Sequence, residues 1–413
     1  MSAESLSDNP PADATGPGAR STDPGPGPGH AGPRALRIAA VYPAFDPVAN
    51  ELAQVWAALA RDGHVQCRVI AGARDNLKGH DAQLQASLPG IEVRRIAGSL
   101  HSRNHAPELI GDDLIRWAAE FAPDVIVSSC DFLADFGRRI QAMHPAPHLL
   151  HVEQWFAPQA LARREYLGIK ALRPLVNRLK HRRFDAFVDH YMIANPAERQ
   201  AMREAADPSR YSYVAWPHPP LPGAGEPPPL EGRRADRLVY IGSMSHWKGA
   251  ANLGRYIDAF LAASPNARAT LVGPPGDKVA ERALARLSRW GERCEHIPSL
   301  PRSDALRLIG ESLAVFCPSD AMGWGLVGDA FNMGTPVIGV GEFYELRDGA
   351  NGLVAATPAD LARCFETLGS DASLWHRLAE AGRRCVLEEH SPQAVARGML
   401  QALHRAAAAR TVR

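Results

Sequence analysis

Apolar positions along this chain follow two patterns that alternate. Some form short continuous runs, and others recur every three or four residues over longer stretches, which predicts buried strands alternating with amphipathic helices. The first run, Arg37-Ile-Ala-Ala-Val-Tyr42, reads as a buried strand. After the turn at Pro43 to Pro47 comes a helix with Leu52, Val55, Trp56 and Leu59 on one face, ended by Asp62-Gly63-His64, and then a strand from Gln66 to Ala71. The opening is therefore a β-α-β unit. Further strands are predicted at 91–96, 124–128, 148–152, 190–194 and 213–216. From Pro217 to Asp236 the pattern is lost and proline dominates, which marks a linker. A second series follows: a strand at 238–242, a helix carrying Leu253, Tyr256, Ile257 and Phe260, a strand at 269–273, a helix to about Trp290, a strand around His296, a helix at 303–310, and helices from Pro358 onward. Alternation of this kind predicts an α/β protein with two doubly wound parallel sheets, each binding ligands at the carboxyl ends of its strands.

Composition places limits on this picture. Residues 1–34, with their Asp-Pro-Gly-Pro-Gly-Pro-Gly run, have almost nothing to bury and read as a disordered tail without the apolar core of a signal peptide. The remainder divides into an N-terminal domain at 35–216, the linker at 217–236 and a C-terminal domain at 237–413, whose last helices are expected to pack back on the first domain. With 413 residues, 46% of them hydrophobic, there is enough apolar material for two cores. A formal net charge of +1 gives no reason to expect nucleic acid as a partner. The cysteines at 67, 130, 294, 317, 364 and 385 lack metal-type spacing and suit buried thiols in a reducing cytoplasm. No apolar stretch approaches the roughly 20 residues that span a bilayer.

The densest chemistry lies in Cys317-Pro-Ser-Asp-Ala-Met-Gly-Trp-Gly-Leu-Val-Gly-Asp-Ala-Phe-Asn-Met-Gly-Thr-Pro-Val-Ile-Gly339. It runs from a strand through a glycine-punctuated loop into a short helix, expected to start near Gly328, and on to a second strand at 336–340. Gly323 and Gly325 allow a ligand close to the main chain, and unpaired N–H groups at a helix start favour an anion. Taken alone, the stretch fits a tight strand-to-helix turn equally well.

This stretch resembles the donor-binding motif of the retaining, GT-B-fold nucleotide-sugar glycosyltransferases, a family that includes sucrose synthases and many bacterial mannosyl- and glucosyltransferases. Pro318, Ser319, Gly323, Gly325, Leu326, Gly334, Pro336 and Val337 match, with Trp324 at an aromatic position. Met322 replaces the first glutamate, and Asp329 matches the second once a one-residue deletion is allowed. Tyr240-Ile-Gly-Ser-Met-Ser-His-Trp-Lys-Gly249 is similar to the segment that holds a donor phosphate with Arg and Lys. Lys248 and Gly249 match, while Ser243 stands where the arginine is expected. Leu271 to Pro274, Ile297 to Pro301 and Glu345 to Val354 resemble further family segments and support the match.

The resemblance implies a GT-B architecture, two Rossmann-like domains facing an interdomain cleft. It implies transfer of a hexose-type sugar from a nucleotide diphosphate donor to an acceptor hydroxyl, with retention, in a cytoplasmic bacterial enzyme of glycan biosynthesis. Donor contacts fall on Ser243, Lys248, Asp320, Gly323, Gly325, Leu326, Val327 and Asp329. Lys248 and the loop N–H groups stabilise diphosphate charge, Asp329 meets the ribose, and Asp320 touches sugar hydroxyls in place of Met322. His151 matches a histidine near the transferred sugar and is assigned with Lys248 to catalysis, although a lone strand histidine also fits a core position. Asn50, Glu51 and Glu153 are the acceptor-side candidates, and the first two also fit a helix cap. No metal and no cofactor beyond the co-substrate is implied. The acceptor is a saccharide, a lipid-linked saccharide or a natural product.

The departures at Ser243 and Met322 leave a second reading open, a catalytically weakened partner subunit that binds nucleotide or saccharide. An epimerase of the same architecture needs a carboxylate and histidine set in the cleft that the sequence does not identify. The basic amphipathic stretch from Lys170 to Arg183 suits peripheral contact with an anionic lipid surface at the inner membrane face, or a solvated helix face.

Overall fold

A continuous apolar run is buried on both faces when it joins a parallel sheet covered by helices on each side, and both halves of the chain fold in this way. The computed structural model describes residues 34–43, 45, 51–72, 88–96, 110–152, 182–194, 202–203, 207–218, 228–319, 324–341 and 345–409. In the first half, β1 (Leu36–Tyr42), β2 (Val65–Gly72), β3 (Ile91–Ile96), β4 (Val125–Ser129), β5 (His148–Val152), β6 (His190–Ile193) and β7 (Tyr211–Tyr213) form one parallel sheet. Its order is β3-β2-β1-β4-β5-β6-β7. In the second half, β8 (Arg234–Ile241), β9 (Arg268–Val272), β10 (Cys294–Ile297), β11 (Ser312–Cys317), β12 (Val337–Gly339) and β13 (Gly352–Val354) form another. That sheet runs β10-β9-β8-β11-β12-β13 and is again parallel throughout. Strand order reverses between β1 and β4 and between β8 and β11, so each sheet opens a crevice at the carboxyl ends of those two strands.

Two boundaries differ from the apolar pattern. The run expected at 213–216 pairs as β7 only to Tyr213, because the residues that follow leave the sheet to cross to the second domain. β8 starts inside the stretch expected as linker, since Arg234 pairs with Ser312 and donates its N–H to the Glu311 carbonyl at 2.7 Å.

The helices bury the faces that their periodicity predicts. In α1 (Glu51–Arg61), Leu52, Val55, Trp56 and Leu59 are buried, and the Trp56 indole donates to the Tyr42 hydroxyl at 2.9 Å. The first domain continues with α2 (Asp112–Glu120) and α3 (Ala134–Met143). The second carries α4 (Ala250–Ala263), α5 (Lys278–Leu287), α6 (Arg302–Gly310), α7 (Trp324–Asn332), α8 (Pro358–Ser370) and α9 (Ala372–Cys385). The last helix, α10 (Pro392–Ala409), follows the second domain in sequence but packs in the core of the first. Its Val395, Met399 and Leu403 are almost fully buried there, each stabilising by about 1.5–3 kcal/mol.

The chain therefore crosses between the domains twice, once at Trp216–His218 and once at a π-helical turn, Val386–His390. The crossings are bonded to each other. The His218 N–H donates to the His390 carbonyl at 2.7 Å, and His390 Nδ1 donates to the Trp216 carbonyl at 2.7 Å. Residues Ala35–Arg413 form one compact unit. Among the described residues, no helix is long and apolar enough to cross a membrane. All six cysteines are free thiols, with Cys67 and Cys317 buried.

Neighbouring strands of the first sheet bury three histidines. His148 hydrogen-bonds with the Ser128 hydroxyl at 2.9 Å and His190 with the Ser212 hydroxyl at 2.8 Å, while the His151 ring stacks on Trp216. Burial lowers their pKa values from 6.5 to about 3 for His148, about 4 for His151 and about 4 for His190, where Arg405 and Arg210 add to the effect. All three are neutral in the folded chain near neutral pH. As pH falls through 6.5 the unfolded chain gains protons that the folded chain does not bind until about 4, so stability drops from about pH 7.5 downward and is level above that. Urea denaturation is expected to show a fall on the order of 4 kcal/mol between about pH 7.5 and about pH 5.5, at up to about 1.4 kcal/mol per unit for each imidazole. A denaturation midpoint that stays level across that interval contradicts the assignment.

Candidate active site

The crevice between β8 and β11 is bounded by the loops that leave those strands. The loop after β8 runs from Gly242 to Gly249 and enters α4, and the loop after β11 begins Pro318-Ser319 and leads to α7. The two are in direct contact. Gly249 adopts φ +78°, and a Cβ placed on it would lie 2.2 Å from the Pro318 carbonyl oxygen, so glycine is required here both for conformation and for space. Asn252, in the first turn of α4, donates to the same carbonyl at 3.1 Å. Lys248 is thus held beside the start of the second loop. It is half-buried, and among the described residues no hydrogen bond or ion pair engages its ammonium group.

α7 begins at Trp324, four residues before the expected start near Gly328. The reason is packing. Trp324, Leu326, Val327 and Phe331 are all buried, so the helix is anchored from its first turn, and the Trp324 ring lies 4.2 Å from the His390 ring. Gly325, Leu326 and Val327 therefore belong to the helix rather than to the loop. Their N–H groups, with that of Trp324, are the donors that a helix start leaves unpaired. The side chains of Leu326 and Val327 are core residues, so only their main chain can serve a ligand. Gly325 is exposed, and among the described residues a Cβ on it would meet nothing within 4 Å.

Asp329, expected at the donor ribose, is bonded within the protein. Its carboxylate is 4% exposed and engaged within the protein. Arg302, the first residue of α6, donates to Oδ2 at 2.5 Å and also to Oδ1, and His218 Nε2 donates to Oδ1 at 2.9 Å. Protein donors thus fill most of the lone-pair sites of the carboxylate expected to meet a donor ribose. The group exposed at this place is Arg302, whose side chain is 51% exposed. Ser243 is exposed, and its carbonyl accepts from the Tyr240 hydroxyl at 3.1 Å. Nearby, Asp277 accepts from the His246 backbone N–H at 2.7 Å and from His246 Nδ1 at 2.8 Å, and caps α5. These bonds, led by the His246 backbone N–H, hold its carboxyl well below the usual carboxylate range.

In the first domain, His151 stands at the end of β5 and is 3% exposed. Its Nδ1 is buried with no hydrogen-bond partner among the described residues, and its ring centroid lies 5.8 Å from that of Trp216. Beside it Cys130 takes φ 72° at the end of β4 and donates its N–H to the His151 carbonyl at 2.8 Å. Asn50, Glu153, Asp320, Met322 and Gly323 lie outside the described residues, and Glu51 is placed only as the first residue of α1. The basic stretch from Lys170 also lies outside them, apart from Arg182 and Arg183, and Arg183 pairs with Asp135 at 2.7 Å. Cys385, Glu389 and His390 bring possible metal-ligand atoms within 4.8 Å of one another at the second crossing, where His390 Nδ1 is already bonded to Trp216.

Comparison with known proteins places this geometry. Residues 255–401 match the family model described as glycosyl transferase-like. That match spans about a third of the chain, and over nearly its whole length the chain has the GT-B fold. HepE from Anabaena, in a complex with UDP and glucose, is similar with a TM-score of 0.65 at 16% identity, over 89% of this chain and 99% of its own. Sucrose-phosphate synthase from Thermosynechococcus elongatus gives 0.68 at 15% identity, over 90% and 98%. A putative UDP-N-acetylglucosamine 2-epimerase from Listeria monocytogenes gives 0.58 at 15% identity, over 89% and 96%. At such identities the likeness establishes the fold, and a fold shared by transferases and a putative epimerase leaves chemistry to be argued from the site. A search of curated proteins finds no match to the sequence.

The family match covers β11, α7, Asp329 and Arg302 but begins after Lys248 and His218. Both of the partners that hold Asp329 are absent from the sequence reading. The only local signals were a histidine inside the proline-rich crossing and an arginine directly after Pro301, and each is an ordinary surface pattern until the fold brings them together.

Proposed function

We propose that the protein is a glycosyltransferase that moves a hexose-type sugar from a nucleotide diphosphate donor to an acceptor hydroxyl, with retention of configuration. One observation carries the reading: the β8 loop bearing Lys248 and the loop leading to α7 are locked together through Gly249, Asn252 and Pro318 at the strand-order reversal. Lys248 stands on the first of these loops and α7 follows the second, and a cation and the unpaired N–H groups of a helix start are what a departing diphosphate needs. Lys248 contributes a charge-assisted hydrogen bond, and the first-turn N–H groups of α7 contribute dipoles that need no reorganisation as charge develops. HepE holds UDP and glucose in its complex, which makes a UDP-sugar the first donor to try here. His151 would border the sugar, with Asn50, Glu51 and Glu153 on the acceptor side. Asp320 and Gly323 complete the donor loop, and the donor serves as co-substrate with no metal.

The partner-subunit reading is favoured by two observations: Ser243 supplies no guanidinium, and Asp329 is engaged within the protein. The experiment that separates them is a thermal-shift and hydrolysis screen against UDP-, GDP-, ADP- and dTDP-sugars. A transferase is expected to be stabilised by one donor and to release free nucleotide slowly. Stabilisation without any release supports the partner subunit, and a folded protein that responds to no donor and no free nucleotide removes the donor site altogether.

A further inference from the structure

The start of α7 is mounted on the interdomain crossing, and one side chain makes most of that connection. The His218 ring lies directly against Gly328: a Cβ on Gly328 would come within 2.6 Å of its Cγ. Its Nε2 donates to Asp329 Oδ1 at 2.9 Å, and that carboxylate in turn holds Arg302 at the start of α6. Its backbone N–H donates to the His390 carbonyl at 2.7 Å. Trp324, the first residue of α7, packs edge-on against the His218 ring at 5.8 Å and lies over His390 at 4.2 Å. His218 therefore contacts both interdomain crossings, the middle of α7 through Gly328 and Asp329, and, through Asp329, Arg302 at the start of α6.

Gly328 is informative because it sits in the interior of a helix. Alanine there is ordinarily favoured over glycine by about 1 kcal/mol. Here the missing methyl is the space that the imidazole fills, so glycine and histidine form a fitted pair.

We infer that His218 is a positioning residue: it fixes α7 and the Asp329–Arg302 pair to the interdomain crossing, and so sets the geometry with which the donor crevice grips a nucleoside diphosphate. The inference rests on the donor-site reading above. It assigns His218 no contact with substrate, since the ring is 4% exposed and surrounded by Gly328, Trp324 and Asp329. The coupling runs through packed groups with one good arrangement, so losing either member of the pair has the same consequence for the crevice.

The test is calorimetric titration of the full chain with UDP, GDP, ADP and dTDP, on wild type, His218→Ala, Gly328→Ala, the double variant and His218→Gln. Melting temperatures are measured without ligand. For the nucleotide that wild type binds, His218→Ala and Gly328→Ala are each expected to weaken binding by about tenfold. The double variant should bind no worse than the weaker single, because one contact is lost in all three. Glutamine, which can still present an N–H toward Asp329, should restore affinity to within about threefold of wild type. A merely structural histidine would lower the melting temperature and leave the dissociation constant alone. Wild-type affinity in folded His218→Ala, or additive losses in the double variant, overturns the positioning role while leaving the donor site standing. A wild type that binds none of the four nucleotides overturns the donor-site reading and this role with it.

Discussion

Lys248→Ala is expected to lower turnover of the sugar nucleotide by about 10²- to 10³-fold, with the melting temperature of the unliganded protein unchanged to within about a degree. The two halves of this expectation have one cause. Among the described residues the ammonium group makes no hydrogen bond or ion pair, so its removal leaves nothing in the folded protein unpaired. Its effect falls on the charge that develops as the diphosphate departs, and Ser243 brings no guanidinium to share that work. Lys248→Arg is a poor rescue, because a planar fork differs in shape and reach from a point charge beside a main chain as close-packed as Gly249 and Pro318. The check is steady-state hydrolysis together with donor-induced thermal shift. Full turnover in Lys248→Ala would sink the catalytic assignment.

The largest effect on stability is expected at Arg233. This side chain is 7% exposed and has no carboxylate partner among the described residues. Its guanidinium donates instead to the carbonyls of Pro228 at 3.1 Å, Met333 at 2.9 Å, Gly334 at 3.1 Å and Ser312 at 3.4 Å, and to the Thr335 hydroxyl at 2.6 Å. It also lies 4.6 Å from the Trp375 ring centroid. Met333 and Gly334 follow the last turn of α7, so a cation here offsets the negative end of that helix. Burial pushes its pKa down only to about 10, and it remains charged at neutral pH. Arg233→Ala strands several buried acceptors and opens a cavity, at a cost of about 3–5 kcal/mol. Arg233→Met fills much of the space but leaves the acceptors unmet, so it should recover only part of the loss. Differential scanning calorimetry should register a fall of about 10 °C for alanine, and a fall of only a degree or two would mean that water replaces the guanidinium at little cost.

Periodicity made the architecture legible because a parallel doubly wound sheet demands continuous apolar strands and one-sided helices, and each leaves its own signature. Boundaries were less readable where tertiary packing decides them. α7 starts at Trp324 because Trp324, Leu326 and Val327 are buried, and a reading that treats the glycines as loop markers puts the start too late. Gly249 was legible as a motif position, and its contact with Pro318 came only from the fold. The bonding of Asp329 was not legible, since Arg302 lies 27 residues before it and His218 lies 111 residues before it. Sequence patterns within a helix or a loop carry no information about pairs formed at such separations.

The placement of α10 has a consequence for how the protein is made. The first domain leaves the ribosome first, yet its core lacks Val395, Met399 and Leu403 until the second domain and α10 have been synthesised. The earlier-born domain is therefore the later to be completed, and during translation the surface that awaits α10 on α1 stays uncovered. Truncation before Pro392 would then damage the domain farthest from it in sequence, and cutting the chain just after His218 would leave two fragments that still depend on each other.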